Sequence, residues 1–483
     1  MTFVSDLEPK ILWRYFDKIL TIPRGSKNED QMRQYVISEA EKHGLDYIKD
    51  DIGNVVVRKP ASAGHENAAG IVIQAHLDMV NEKNSDVEFD FDKDALIPQL
   101  DGDFLSAKGT TLGSDNGIGV AAMLAIMSDT SLEHGPLEFL FTIDEETGLT
   151  GAQELGDNLL QGRQLLNLDT EEENSLCIGC AGGGDTRITV PVNRMAKPAG
   201  AVGLECKLTG LKGGHSGCEI HMQKGNAVKL MVRALYACSE EMKFNIVDIA
   251  GGDKHNAIPR EAFATVVIDA AAKDNFISKI KAQMAAIAEE YKSVEPDFTF
   301  KVLDTEVSEN VLDDASSQML LNFAQAMPHG VIAMNYHIPG LVDTSTNFAK
   351  MTLNEDSIYV LMSSRSAFDS GMNAIRERIH AVAGLVGGKL EESDAYPGWE
   401  PNIDSRLLKV MKELYTKETG KEPEVGAIHA GLECGIIGAK YDGMDMISFG
   451  PQIDFPHSPD ERVKIDTVDV FYKMLLKSLK ALA

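Results

Sequence analysis

Residues 71–75 form an apolar run that leads into His76-Leu77-Asp78. Side chains alternate along an extended strand, so His76 and Asp78 face one side if the extension continues. A second run, 137–143, leads into Asp144-Glu145-Glu146, and a third, 165–168, into Asp169. Asp115 stands in Gly113-Ser114-Asp115-Asn116-Gly117, just ahead of a small-residue apolar stretch of helical length at 117–127. Ligands of parallel α/β sheets bind beyond the carboxyl ends of the strands, and here three strands bring His or acid to one such edge. Taken singly, these residues read as an N-cap, a solvated turn and a core histidine. Taken together, they gather more carboxylates than repulsion allows unless a cation neutralises them. An N/O donor set without cysteine suits zinc, and also manganese or cobalt. It exceeds the needs of one ion and matches a pair ~3.5–4 Å apart bridged by a carboxylate. Adjacent Glu145 and Glu146 cannot aim at one point, so one is expected as ligand and the other as proton carrier.

These four motifs resemble, in order and spacing, the metal-site motifs of the co-catalytic di-zinc aminopeptidase and aminoacylase superfamily. Gly213-Gly214-His215-Ser216-Gly217 and Asn256-Ala257-Ile258-Pro259-Arg260 resemble its lid motifs. His429-Ala430-Gly431-Leu432-Glu433-Cys434-Gly435 and Phe455-Pro456-His457-Ser458-Pro459 resemble its C-terminal ones. The resemblance covers essentially the whole chain. Motif wording and chain length are most similar to the bacterial dipeptidase branch, which accepts aminoacyl-histidine. It implies two Zn2+ per chain, with Mn2+ or Co2+ as substitutes. Asp115 would bridge them, His76 and Asp169 would complete one site, and Glu146 and His457 the other. Glu145 would be the general base acting on a zinc-bridging hydroxide, with Asp78 orienting His76. Among lid residues, the resemblance implies that His215 meets the tetrahedral intermediate and that Asn256 contacts substrate. Arg365 suits two-pronged binding of a free α-carboxylate. Glu433 is open to two readings, a substrate-amine contact or a partner for a backbone amide. The implied activity is hydrolysis of unblocked dipeptides, Xaa-His included, by a homodimer joined through its lid.

Periodicity predicts helices at 6–19 and 28–43, then strands at 54–58, 71–75, 137–143 and 165–168, an α/β alternation with a mostly parallel sheet flanked by helices. Beyond Gly182-Gly183-Gly184 the pattern changes. Strands at 187–192, 204–208, 262–270 and 358–363 alternate as half-exposed ones do, and helices are expected at 226–239, 276–291 and 372–386. A helix at 404–416 and a strand at 445–449 follow. The expected organisation is a discontinuous catalytic di-zinc domain, 1–186 and 397–483, interrupted by an α+β lid, 187–396, with the glycine run as hinge.

Composition excludes several classes. The chain has 483 residues, 43% hydrophobic and 25% charged, which is ordinary globular usage. A net charge of −28 argues against nucleic acid and against anionic lipid surfaces. No apolar run approaches the ~18 residues of a bilayer span, and the first twenty residues, with Asp6, Glu8 and Asp17 among the apolar ones, do not read as an export signal, so a cytoplasmic setting is expected. Cys177 and Cys180 form a lone CxxC, expected to be two inert thiols. A related deacylase, tripeptidase or carboxypeptidase remains compatible with the motifs, as do a two-metal phosphohydrolase and a metal-stabilised binding protein.

Overall fold

The structure is a computed structural model that describes residues 2–307 and 310–483. The chain divides into two compact units: Met1–Cys180 with Trp399–Ala427 and Leu432–Ala483, and Ala181–Gly398 with Ile428–Gly431.

The first unit is built on an eight-stranded sheet. From edge to edge it runs Asp46–Lys49, Val55–Lys59, Leu137–Thr142, Ile71–His76, Gln164–Asn167, Asp445–Ser448, Ser175–Cys180 and Glu424–Ile428. Leu137–Thr142, Ile71–His76, Gln164–Asn167 and Asp445–Ser448 pair in parallel, in that order. Val55–Lys59 and Ser175–Cys180 flank them antiparallel, so the sheet is mixed. Every residue of Ile71–His76 and Leu137–Thr142 is buried. Both faces of these strands are covered, which is why they read as continuous apolar runs. Helix Ser114–Ser128 is packed with Ala, Gly, Ile, Met and Val and is buried almost throughout. The first predicted helix is shorter than expected, Lys10–Ile19, because Pro9 occupies its N-cap; a 3₁₀ turn, Phe3–Asp6, precedes it.

The second unit carries a nine-stranded sheet whose pairings are antiparallel. Burial alternates along Gly182–Pro191, as expected for a sheet covered on one side. Helices Ala227–Ser239, Lys273–Tyr291, Asp314–Ala326 and Asp369–Gly384 supply its core, with Met231, Leu235, Phe276, Ile280, Leu320, Phe323, Ile375 and Ile379 among the buried residues. The glycine run opens strand Gly182–Pro191, next to the boundary between the units, and Gly182, Gly183 and Gly184 pair with Ser366, Arg365 and Ser364. Glycine is required there by close packing: a Cβ on Gly183 would run into the ring of Tyr396. Among the described residues no helix is long and apolar enough to cross a membrane.

Candidate metal centre

Each acid or histidine singled out in the first unit lies at or just beyond the end of a parallel strand, or in a loop beside one. His76 is the last residue of its strand and is 1% exposed. Glu145 and Glu146 open the short helix Glu145–Gly148, immediately after Leu137–Thr142 and the left-handed Asp144. Asp169 lies two residues past Gln164–Asn167. Asp115 is non-helical (φ −81°, ψ 114°), and the regular helix starts only after Asn116. Its carboxylate therefore stands clear of the helix instead of capping it.

These groups converge into two sets. His76, Asp115 and Asp169 form one, and Asp115, Glu146 and His457 the other, each with ligand atoms within 4.8 Å of one another. His76 Nε2 lies 3.1 Å from Asp115 Oδ1 and 3.3 Å from Asp169 Oδ1. His457 Nε2 lies 3.2 Å from the other Asp115 oxygen and 2.9 Å from Glu146 Oε2. One carboxylate thus faces both sets, one oxygen to each. Asp78 Oδ1 sits 3.3 Å from His76 Nδ1. The Asp78 carboxylate is itself held by Ser26 Oγ at 2.8 Å and by the amides of Glu145 and Glu146 at 3.1 and 3.2 Å. It therefore orients the imidazole and the Glu145-Glu146 turn together. Asn116 donates its side-chain amide to Asp169.

Carboxylates outnumber histidines in this cluster. Burial opposes the charged form of His76, but Asp169, Asp115 and Asp78 outweigh it and hold the ring well above its ordinary pKa. Hydrogen bonds from Asp115 and Glu146 push His457 up to about 11. Burial, with Asp169, Glu146 and Glu433 nearby, holds the Glu145 carboxyl well above the usual range. Burial and the neighbouring Asp115 and Asp169 push Glu171 up to about 9. Each shift adds a proton to a cluster rich in acid, as expected where a cation belongs. Glu146 also keeps a buried carboxylate oxygen, Oε1, without a hydrogen-bond partner. Imidazole nitrogens and carboxylates with spare lone pairs fit a pair of divalent ions.

The lid candidates all belong to the second unit. Arg365 is 7% exposed, lies on strand Ser357–Ser366, and bonds Tyr396 Oη at 3.1 Å through Nη1. Its Nε is buried without a partner, as are Ser216 Oγ and His429 Nδ1. A Cβ on Gly217 would lie 3.0 Å from both Arg365 Nε and His215 Cε1, so these groups crowd one spot. Burial, and then the Arg365 charge, hold His215 down to about 4 and His429 to about 3. Both rings are neutral at pH 7, leaving the guanidinium as the charge of the cluster. His215 and Asn256 line a cavity of about 830 Å³ with Lys254, Arg260 and Phe263.

Sequence reasoning named Glu433 without finding its partners, and missed Arg24 and Glu461. Glu433 is fully buried, and its Oε2 accepts from Gln74 Nε2 at 2.6 Å and Thr142 Oγ1 at 2.7 Å. Those partners are strand side chains, which neither reading of Glu433 foresaw. Arg24 and Glu461, both 2% exposed, grip the main chain around Asp115. Glu461 is four residues after His457 in a motif already noted, a signal that could have been used; Arg24 offers no comparable pattern. Cys177 and Cys180 are both buried, and burial pushes the Cys180 thiol up to about 12.

Residues 72–481 match the model of peptidase family M20/M25/M40, and the chain belongs to that family. It is 41% identical over 480 residues to the cytosol non-specific dipeptidase of Escherichia coli (strain K12), covering 99% of both chains. The crystal structure of aminoacylhistidine dipeptidase from Vibrio alginolyticus superimposes with a TM-score of 0.93 at 43% identity, covering 100% of this chain and 98% of that one. Aminopeptidase PepT from Bacillus cereus ATCC 10987 shares the fold, with a TM-score of 0.58 at 14% identity over 99% of each chain.

Proposed function

We propose that this protein is a dinuclear metallopeptidase that hydrolyses the peptide bond of unblocked dipeptides, Xaa-His among them. The observation that carries the reading is Asp115, whose two carboxylate oxygens face two separate donor sets. The names of the relatives support the substrate class: a cytosol non-specific dipeptidase and an aminoacylhistidine dipeptidase. His76, Asp115 and Asp169 would hold one zinc, and Asp115, Glu146 and His457 the other. Zinc so held supplies Lewis acidity and a water that ionises near neutral pH.

The remaining work falls to side chains. Glu145 takes the proton of the attacking water and delivers it to the departing amine, from a position at the cluster but apart from the contacts of Glu146 with His457. Asp78 fixes the tautomer and direction of His76. In the lid, neutral His215 donates to the oxyanion, Asn256 contacts substrate, and Arg365 receives the α-carboxylate. A buried guanidinium with an unpartnered Nε is primed for such an anion. Asn256 rests on the resemblance and on its place in the cavity wall. The protein is read as cytoplasmic and as a homodimer joined through its second unit.

The test is a panel of dipeptides, tripeptides and dipeptide amides, β-alanyl-histidine included, assayed with zinc, manganese or cobalt. Free dipeptides are expected to react far faster than tripeptides or amides, and Arg365→Ala to erode that preference through KM, kcat or both. Equal hydrolysis of amides by the parent protein would leave an aminopeptidase or deacylase on this scaffold. Sedimentation gives the subunit count.

A further inference from the structure

We propose that Arg24 and Glu461 are positioning residues that preset the loop bearing Asp115, so that the shared ligand is in place before any ion arrives. The inference rests on the reading of Asp115 as a ligand to two ions.

Glu461 accepts from Leu112 N at 2.8 Å and Gly113 N at 2.9 Å on one oxygen, and from Ser114 N at 2.7 Å and Ser114 Oγ at 2.6 Å on the other. Three successive main-chain amides and a hydroxyl thus converge on a single carboxylate, a concave array of donors that binds an anion strongly. On the carbonyl side, Arg24 Nη2 donates to Gly113 O, while its Nη1 donates to Leu77 O at 3.0 Å and Asp78 O at 2.7 Å. Among the described residues the hydrogen bonds of Arg24 all go to main-chain carbonyls. A buried cation and a buried anion therefore hold the same loop from opposite sides.

Such an arrangement is costly. Each buried charge loses several kcal/mol of solvation unless it is fully partnered. Residues 112–114 could have been held by ordinary turns. What the two charges add is a link between chain segments. Arg24 ties the loop of Asp115 to the segment of His76 and Asp78. Glu461 ties it to the segment of His457. All three ligand-bearing segments are thus fixed to one another through main-chain atoms, without contact with the ligand side chains. Gly113 is matched to this role: its φ of +66° suits glycine, and a Cβ would collide with Arg24 Nη2 and with Met79 Sδ.

The experiment compares parent protein, E461Q and R24K. Gln keeps the size of Glu461 but turns an NH₂ toward the loop amides. Lys keeps the charge of Arg24 but loses its fork. Zinc affinity of the folded, metal-stripped protein is measured by competition with a chromophoric chelator, and melting of the stripped protein is recorded in parallel. Affinity of at least one zinc is expected to fall tenfold or more in each variant, in the range that loss of an outer-sphere partner produces. KM for a Xaa-His dipeptide is expected to stay within about twofold while kcat falls, since neither residue is placed against substrate. Zinc affinity within threefold of parent in a folded variant, whatever the melting temperature, reduces the pair to ordinary stability residues and overturns the proposal. If E461Q does not fold, R24K alone decides. A parent protein that binds no zinc would instead remove the underlying reading of Asp115, an outcome seen before any variant is made.

Discussion

Glu145 and Glu146 share a peptide bond yet end in different company. Both donate their amides to Asp78, but Glu146 Oε2 meets His457 at 2.9 Å, whereas Glu145 groups with His76 and not with His457. Glu145→Gln is expected to retain two metals and substrate affinity while turnover falls by about 10²–10⁴, the usual contribution of a positioned proton carrier. Metal analysis beside steady-state kinetics checks it. Glu146→Gln should instead weaken one ion. His329 makes a separate point about buried rings. Burial and then Lys229 hold it down to about 3, and its Nδ1 accepts from Phe348 N at 3.3 Å. An unfolded chain takes up this proton near pH 6.5, the folded one only near 3. Its contribution to stability is therefore intact above pH 6.5 and is lost as pH falls toward 3. His329→Gln is expected to flatten acid unfolding across that window in pH-dependent urea titrations. The acids and His76 were legible in the sequence because they interrupt apolar runs. His457 stands alone in a Pro-flanked loop and is recovered only through the family resemblance.

Elements were legible where one physical cause dominated. The central strands are continuous apolar runs because both faces are buried, and the helix after Asp115 becomes regular beyond Asn116, close to the predicted start at 117. Helix Asp314–Ala326 went unread because Ser316 and Ser317 dilute its apolar stripe, although Asp313 caps it by accepting from Ser316 N at 2.6 Å. The packing role of the glycine run was not legible, because the Tyr396 ring that demands glycine at 183 lies about 200 residues away in sequence. Lys59 shows how a strand secures a helix. Its 8%-exposed side chain sends Nζ to Ile126 O at 2.6 Å and Asp129 O at 2.5 Å, at the C-terminus of Ser114–Ser128. Lys59→Met fills the same space but strands those carbonyls. It is expected to cost about 1–3 kcal/mol in urea unfolding, with full activity in the protein that remains folded.

At the scale of the whole chain, both donor sets belong to the first unit, and the large apolar cluster of the second contains no ligand. A ligand that binds only folded protein stabilises what it binds. Chelation is therefore expected to abolish hydrolysis and to lower the melting of the first unit, leaving the transition of the second near its original temperature. Calorimetry with and without chelator reads this directly, and a single transition shifting as one block would show that the units melt together. The net charge of −28 adds a general repulsion that added salt relieves, so the comparison belongs at fixed ionic strength. The nesting of one unit inside the other was sought in composition breaks. The return of residues 428–431 to the second unit carries no such mark, because it is made by main-chain bonds from Ala181 N to Ile428 O and Ala430 O.

Asp115 and His457 touch across 342 positions of sequence, and strand Asp445–Ser448 lies between Gln164–Asn167 and Ser175–Cys180, both made far earlier. During translation the first sheet therefore lacks an inner strand until Asp445–Ser448 has been made, long after its two neighbours. His76, Asp115 and Asp169 have left the ribosome by then, and His457 has not. Synthesis therefore separates partners that the fold joins: the contacts of His457 with Asp115 and Glu146 form only after every strand and helix of the second unit from Gly182 to Gly398 has been made.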